Sequence, residues 1–300
     1  MLSLDDFTPI TLEDKMVFDK ILHEYPPVHS DYIFTTMVSW KEYACYHYAT
    51  LGDNLIIYTK INNVIRIRPP LGRRQKSAYE TVMKFALQQQ SDFPLGVIDE
   101  PTKLWLGQQF PHLRFLPHRD YFEYVYRASD LANLPGTPYG KIRNRLNKFK
   151  RSYNYSVETM TADTLEEIKE FLKRWCIWKD CASDPLLEYE KKAVMYSIGH
   201  FEDLELSGIV IRIDGTVQAV AVFEAMSPTT AVIHYEKASP DFMGIYKAIN
   251  AEAANLLQDT FEFINRESDM GVAGLRRAKL SYRPHHMVNV YHMERQSIIV

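Results

Sequence analysis

Three hundred residues are enough for two ordinary domains, each able to bury its own core. The chain is 46% hydrophobic and 24% charged with a formal net charge of −3, a balance that excludes a general nucleic-acid coat but allows a local basic patch. No apolar run approaches the roughly 18–20 residues of a membrane span, and residues 1–6 lack the basic and apolar stretches of a signal peptide, so a soluble, cytoplasmic chain is expected. Cys45, Cys176 and Cys181 fit a reduced compartment; no second pair completes a zinc site, and Cys176 and Cys181 read as structural thiols.

Along the chain, Thr11 with Glu13 and Asp14 marks the start of a helix over 12–23. Segments 43–48 and 54–60 read as a hairpin around Leu51-Gly52-Asp53. Residues 64–68 alternate apolar and basic side chains as a further strand, broken by Pro69-Pro70-Leu71-Gly72. Ala78, Val82, Phe85 and Ala86 carry helical spacing over 77–90. A strand at 95–98, a short helix at 101–109 and a strand at 121–126 follow. Residues 128–139 hold Pro135-Gly136-Thr137-Pro138, a domain boundary.

The helix expected over 141–153 is the most charged part of the chain. Ile142, Leu146, Phe149 and Tyr153 form one apolar stripe, and Lys141, Arg143, Arg145, Lys148, Lys150 and Arg151 leave it without any acidic residue. An unmixed basic face repels itself unless something anionic lies against it. Helices at 165–178 and 187–201 precede strands at 207–213, 217–225 and 230–236, with Asp214-Gly215 closing a tight hairpin. A helix over 244–257 has Ile245, Ile249, Ala253 and Leu256 on one stripe; a strand at 261–264, a helix at 272–280 and a strand at 287–291 complete the chain.

The two halves echo each other. Leu113-Arg114-Phe115-Leu116-Pro117-His118 recurs as Leu280-Ser281-Tyr282-Arg283-Pro284-His285, 167 positions later; Ile98-Asp99-Glu100 matches Ile264-Asn265-Arg266 at 166, and Tyr58-Thr59-Lys60 matches Tyr235-Glu236-Lys237 at 177. The change of offset places an insertion of about ten residues near 61–70 of the first copy. The chain therefore reads as a duplicated domain, 1–135 and 136–300. Each copy is a hairpin-rich sheet, a long helix, a strand, a shorter helix and a strand. That is the element order of the GNAT acyltransferase fold, an α/β (α+β) architecture with mixed sheets flanked by helices.

The segment Ile264-Asn265-Arg266-Glu267-Ser268-Asp269-Met270-Gly271, with Gly274-Leu275-Arg276-Arg277-Ala278-Lys279-Leu280 and Tyr282-Arg283-Pro284 behind it, resembles the C-terminal catalytic domain of phosphatidylglycerol lysyltransferases. The resemblance covers residues 20–295, includes the basic helix after Tyr139, and is strongest in the second half. It implies two fused GNAT-like domains and, through kinship with Fem-type transferases, an aminoacyl group taken from aminoacyl-tRNA. The lysyltransferases carry a multi-helix membrane domain ahead of this one, which this sequence does not show. The implied acceptor is a small molecule or a lipid headgroup.

Asn265, Glu267 and Asp269 alternate along a strand end, and Arg276 and Lys279 share a face of the next helix. Carboxylates there suit the α-ammonium of an aminoacyl group and the cations a phosphate or carboxylate; a structural ion-pair network with Asp269 or Ser268 capping the helix is the alternative. Glu236, Glu267 and Asp269 are taken as candidate catalytic residues, with His234 a further base, and Asn265, Arg276, Lys279, Tyr282 and Tyr246 as candidate substrate contacts. Lys141, Arg145 and Lys148 of the basic helix, with Arg73 and Arg74 before the first long helix, are candidate anion or donor contacts; an exposed basic helix and turn are the plainer accounts. In the second copy the loop Ser239-Pro240-Asp241-Phe242-Met243-Gly244 lacks the glycine pattern that cradles a coenzyme A pyrophosphate. His285, His286 and His292 lack the companions of a metal site. The expected function is a soluble acyl- or aminoacyltransferase with its donor, aminoacyl-tRNA or acyl-CoA, in the cleft between the copies. A coenzyme-A-dependent N-acyltransferase and a non-catalytic module binding tRNA or anionic surfaces stand as alternatives.

Overall fold

The computed structural model describes residues 2–299. Two compact units divide the chain: Met1–Glu123 with Ser268–Val272 and Val288–Val300, and Tyr124–Glu267 with Ala273–Met287. Each unit thus draws on both halves of the chain.

The first unit contains β1 (Thr8–Pro9), β2 (His47–Leu51), β3 (Asn54–Ile61), β4 (Val64–Ile67), β5 (Leu95–Asp99) and β6 (Phe115–Pro117). Its helices are α1 (Lys15–Glu24), α2 (Phe34–Ser39), α3 (Lys41–Ala44), α4 (Lys76–Leu87) and α5 (Glu100–Gln109). Thr11 and Asp14 form the capping box of a single 3-10 turn ahead of α1. The hairpin β2–β3 closes at Leu51↔Asn54, but it starts later than expected, because residues 41–44 are helical and Cys45, at φ 42°, ends that turn. Helix α2 escaped the periodicity argument for a physical reason: all six of its residues are buried, so no polar face alternates with an apolar one. On α4 the expected stripe of Ala78, Val82, Phe85 and Ala86 is buried together with Tyr79 and Met83.

The second unit contains β7 (Glu123–Arg127), β8 (Tyr155–Thr159), β9 (Ser207–Ile213), β10 (Thr216–Ser227), β11 (Thr230–Ala238), β12 (Phe263–Ser268) and β13 (His286–Val288). Its helices are α6 (Ala128–Asn133), α7 (Gly140–Ser152), α8 (Leu165–Trp178), α9 (Pro185–Gly199), α10 (Ile245–Leu257) and α11 (Ala273–Ser281). The last strand, β14 (Val290–Met293), belongs to the first unit. The single strand expected over 287–291 is thus two strands in two different sheets.

Both sheets are mixed and seven-stranded, in the orders β1-β2-β3-β4-β5-β14-β6 and β13-β7-β12-β11-β10-β9-β8. The final strand of each repeat, β7 or β14, therefore sits between the last two strands of the other repeat's sheet. In the second sheet β11 pairs directly and in parallel with β12. In the first, β4 intervenes, antiparallel to β3 and parallel to β5. This additional strand is the insertion inferred from the change of repeat offset. Residues 128–133, expected to be part of a linker, form α6 because Ala128 and Leu131 bury themselves in the core of the second unit.

The apolar stripe of the basic helix α7 holds: Ile142, Leu146 and Phe149 are buried in that same core. On α10 the stripe shifts by one position at its end, where Leu257 is buried and Leu256 exposed. Gly244 caps α10 with φ 97°, and a Cβ there would come within 2.9 Å of the Arg145 carbonyl oxygen and 3.1 Å of Phe149 Cβ. We expect Gly244→Ala to cost about 2–3 kcal/mol in urea unfolding, since both the left-handed backbone and the contact with α7 oppose a side chain.

The cysteine expectation is corrected. Cys176 and Cys181 are disulfide-bonded with their Cα atoms 5.2 Å apart, and Cys45 is the free thiol. The left-handed turn at Asp180, φ 51°, folds the chain back so that Cys181 meets the last turns of α8.

Candidate functional site

In the second unit β11 and β12 pair over Thr230–Val232 and Phe263–Asn265, and both strands run further. Beyond that pairing, Arg266 of β12 meets Glu236 of β11 in a partly buried ion pair. Asn250, fully buried on α10, donates from Nδ2 to the other Glu236 oxygen at 2.9 Å. The Arg266 guanidinium lies 4.9 Å from the Tyr282 ring centre and 5.8 Å from that of Tyr126. Burial works against its charge, and the carboxylate of Glu236 more than offsets it, raising the Arg266 pKa. Arg266 Nη1 is buried and makes no hydrogen bond among the described residues.

The two tyrosines are pinned by their hydroxyl ends or backbone. Tyr126 donates its hydroxyl to the Lys279 carbonyl at 2.9 Å, and Tyr139 donates to the Tyr282 carbonyl at 3.1 Å. The Lys247 ammonium lies 4.5 Å from the Tyr282 ring centre. Burial, then the positive charges of Arg266 and Arg145, lower its pKa to about 8 against the pull of Glu236. A lysine near neutrality beside a fixed arginine is an arrangement that can both hold an anion and accept a proton.

A second cluster adjoins on β10, β11 and β12, built around a buried imidazole. His234 lies with Nε2 2.7 Å from Glu224 and Nδ1 2.9 Å from Glu267. Burial disfavours its charge, yet hydrogen bonds and charge from both carboxylates raise its pKa to about 10. Such a histidine is an imidazolium clamp at neutral pH rather than a base. Because its folded pKa is raised from 6.5, its stabilisation is complete below about pH 6.5 and disappears as pH climbs through about 10. The difference in unfolding free energy between the parent and His234→Gln should therefore shrink on going from pH 6 to pH 10; a gap that stayed constant over that range would refute the clamp.

The remaining sequence-selected residues fall in several places. Asn265 is buried, and its Oδ1 accepts from the Glu267 backbone N–H at 2.8 Å. Lys279 donates to the Arg266 and Glu267 carbonyls at 2.5 and 3.1 Å, so it braces the end of β12. Asp269 belongs to the first unit, fully buried, pairing with Arg119 at 3.1 Å and accepting from Gly271 N–H at 2.9 Å. Arg276 is half-buried on α11. Tyr246 accepts from the Trp175 indole at 3.0 Å, beside Lys237, which pairs with Glu190 at 2.7 Å.

On α7, Arg143 is spent on the Leu134 and Gly136 carbonyls and Lys150 pairs with Glu252 at 3.3 Å. Lys141, Arg145, Lys148 and Arg151 are exposed. Arg73 and Arg74 lie in the first unit, on the wall of a cavity of about 600 Å³. Glu236 and Tyr282 thus come together with Arg266, Lys247, Asn250 and Tyr126, four residues that sequence reasoning did not select. Asn250 carried a signal, a polar residue in an Ala- and Ile-rich helix face. Lys247 carried none, because a lysine one turn into a helix is ordinarily solvated. Among the described residues no group of three or more His, Cys, Asp or Glu is placed to hold a metal ion, and no helix is long and apolar enough to cross a membrane.

Two mixed sheets flanked by helices, each with a parallel crossover through a long helix, define a tandem GNAT-like transferase fold. Residues 23–294 match the family described as phosphatidylglycerol lysyltransferase, C-terminal, and the chain belongs to that family. No curated protein matches the sequence. A conserved protein of unknown function from Bacteroides thetaiotaomicron is 27% identical, covers 96% of this chain and 98% of its own, and superposes with a TM-score of 0.89. L-PGS from Bacillus licheniformis is 13% identical over 96% and 93% of the two chains, TM-score 0.63. FemX is 9% identical over 97% and 98%, TM-score 0.58, and shares the fold.

Proposed function

We propose that this protein transfers the aminoacyl group of an aminoacyl-tRNA to a small-molecule or lipid-headgroup acceptor, in the cytoplasm where charged tRNA is found. One arrangement carries this reading: Lys247, whose pKa burial and two arginines lower to about 8, lies beside Arg266, whose buried Nη1 makes no hydrogen bond among the described residues. The family's description, a lysyltransferase acting on phosphatidylglycerol, supports an aminoacyl donor. The exposed cations Lys141, Arg145 and Lys148 of α7 supply a surface for tRNA phosphates, with Arg145 close enough to depress Lys247.

The acceptor amine or hydroxyl attacks the ester carbonyl carbon. Neutral Lys247 takes the proton of the nucleophile as the new amide or ester bond forms, and returns it to the ribose oxygen as the ester bond breaks. Arg266 Nη1 receives the carbonyl oxygen as negative charge develops there. Glu236 and Asn250 position Arg266, while Asn265 and Lys279 hold the strand end that carries it. Tyr282 and Tyr246 face the substrate.

The test is a titration with charged and uncharged tRNA and with a panel of acyl-CoAs, followed by transfer of a labelled amino acid. Preference for charged tRNA is expected; indifference to charging together with micromolar binding of one acyl-CoA would assign a coenzyme A enzyme instead. Neutralising Lys141, Arg145 and Lys148 together to glutamine should weaken tRNA binding and reduce the salt slope of log Kd by about 2–3. An unchanged slope would remove α7 from the interface.

A further inference from the structure

The first unit holds a cavity of about 600 Å³ with no part in the chemistry above. That volume lies in the range of small-molecule sites, roughly 300–1,000 Å³. Pro26, Pro27, Pro69 and Pro70 give it walls of fixed backbone angle, and Tyr25 and Trp105 give it aromatic faces. Tyr79 backs Trp105 with ring centres 4.9 Å apart. Gly72, at φ 127°, shapes one wall, and a Cβ there would come within 2.4 Å of Asn54 Oδ1. Asn54 is buried, and that oxygen makes no hydrogen bond among the described residues.

Both signs of charge line the cavity. Arg73 and Arg74 stand at the start of α4, and Arg74 is steadied by a 3.3 Å bond to Thr102 Oγ1. Opposite charge comes from Glu24 and Asp99, but Asp99 is already engaged, accepting from Thr102 N–H at 2.7 Å. A ligand must therefore confine its negative charge to the arginine end and present an uncharged body elsewhere. A flat ring meets the second requirement, since it can lie against Trp105 and Tyr25 without seeking hydrogen bonds.

We propose that this cavity is a binding site for a small ring-bearing phosphate ester, its phosphate held by Arg73 and Arg74 and its ring against Trp105 and Tyr25. The site is independent of the aminoacyl-transfer reading. Titration of the full chain, followed by tryptophan fluorescence, with phenyl phosphate, adenosine monophosphate, sn-glycerol 3-phosphate and inorganic phosphate tests it. Saturable binding of phenyl phosphate at least about tenfold tighter than of inorganic phosphate or glycerol phosphate is expected. The double variant Arg73→Ala/Arg74→Ala, at exposed positions, should keep the circular dichroism of the parent and weaken binding by at least about tenfold. Trp105→Leu should erase the preference for a ring, and Lys247→Met should bind the probes as the parent does. Tighter binding of adenosine monophosphate than of phenyl phosphate would support the site and narrow it to nucleotides. Equal affinity for phenyl and inorganic phosphate, or binding indifferent to the double variant, would overturn it.

Discussion

Lys247→Met is expected to lower aminoacyl transfer by about a hundredfold to ten-thousandfold, the usual contribution of a positioned base. The parent should gain activity as pH rises through about 8, where burial and the neighbouring arginines release the lysine's proton. The variant should lose that limb of the profile. Lys247→Arg separates the two tasks a cation could perform here. It keeps the charge that attracts phosphate but has no proton to release at accessible pH, so tRNA affinity should persist while transfer falls. Normal turnover in Lys247→Met, measured on protein with unchanged circular dichroism, would sink the assignment of the base. Stability should move in the same direction as activity: a lysine whose folded pKa is depressed binds fewer protons than in the unfolded chain between about pH 8 and 10.5, so folding strengthens as pH rises through that window.

Arg266→Met should cost about 2–3 kcal/mol of unfolding free energy, because it leaves the partly buried Glu236 carboxylate without its cation. Asn250 alone, with one N–H to that carboxylate, does not compensate. The double variant Arg266→Met/Glu236→Met removes the stranded charge and should recover much of the loss, since an apolar pair of similar volume is often as stable as a buried ion pair. A chemical denaturation series on the parent, both single variants and the double variant gives the coupling directly. If the single variant unfolds like the parent, the pair is solvated in the protein and the electrostatic account of the site fails. Transfer should remain absent in the double variant even where stability returns, because Nη1 goes with the guanidinium.

Much of the architecture was legible because it rests on local periodicity and on the repeat. The stripe Ile142, Leu146 and Phe149 named the buried face of α7, and the offset change between Tyr58 and Leu113 located the extra strand β4. The exchange of β7 and β14 between sheets was not legible. Strand patterns say which face is buried, not which neighbour a strand selects, and 287–291 carried the same signal whichever sheet received it. The bond between Cys176 and Cys181 likewise depends on one left-handed residue, Asp180, whose backbone angle no composition announces.

The site divides in the same way. By itself the sequence determined that cations and carboxylates concentrate around residues 264–279, that α7 is basic without acidic partners, and which family motif they form. Only the tertiary structure decided what those groups do: Glu267 clamps His234, Lys279 braces β12, Asp269 pairs with Arg119, and Glu236 holds Arg266. The physical reason is that charge and hydrogen-bonding capacity belong to a residue type, whereas a shifted pKa belongs to its surroundings. Lys247 has the ordinary chemistry of lysine in the sequence; burial beside Arg266 and Arg145, residues far from it in the chain, changes it.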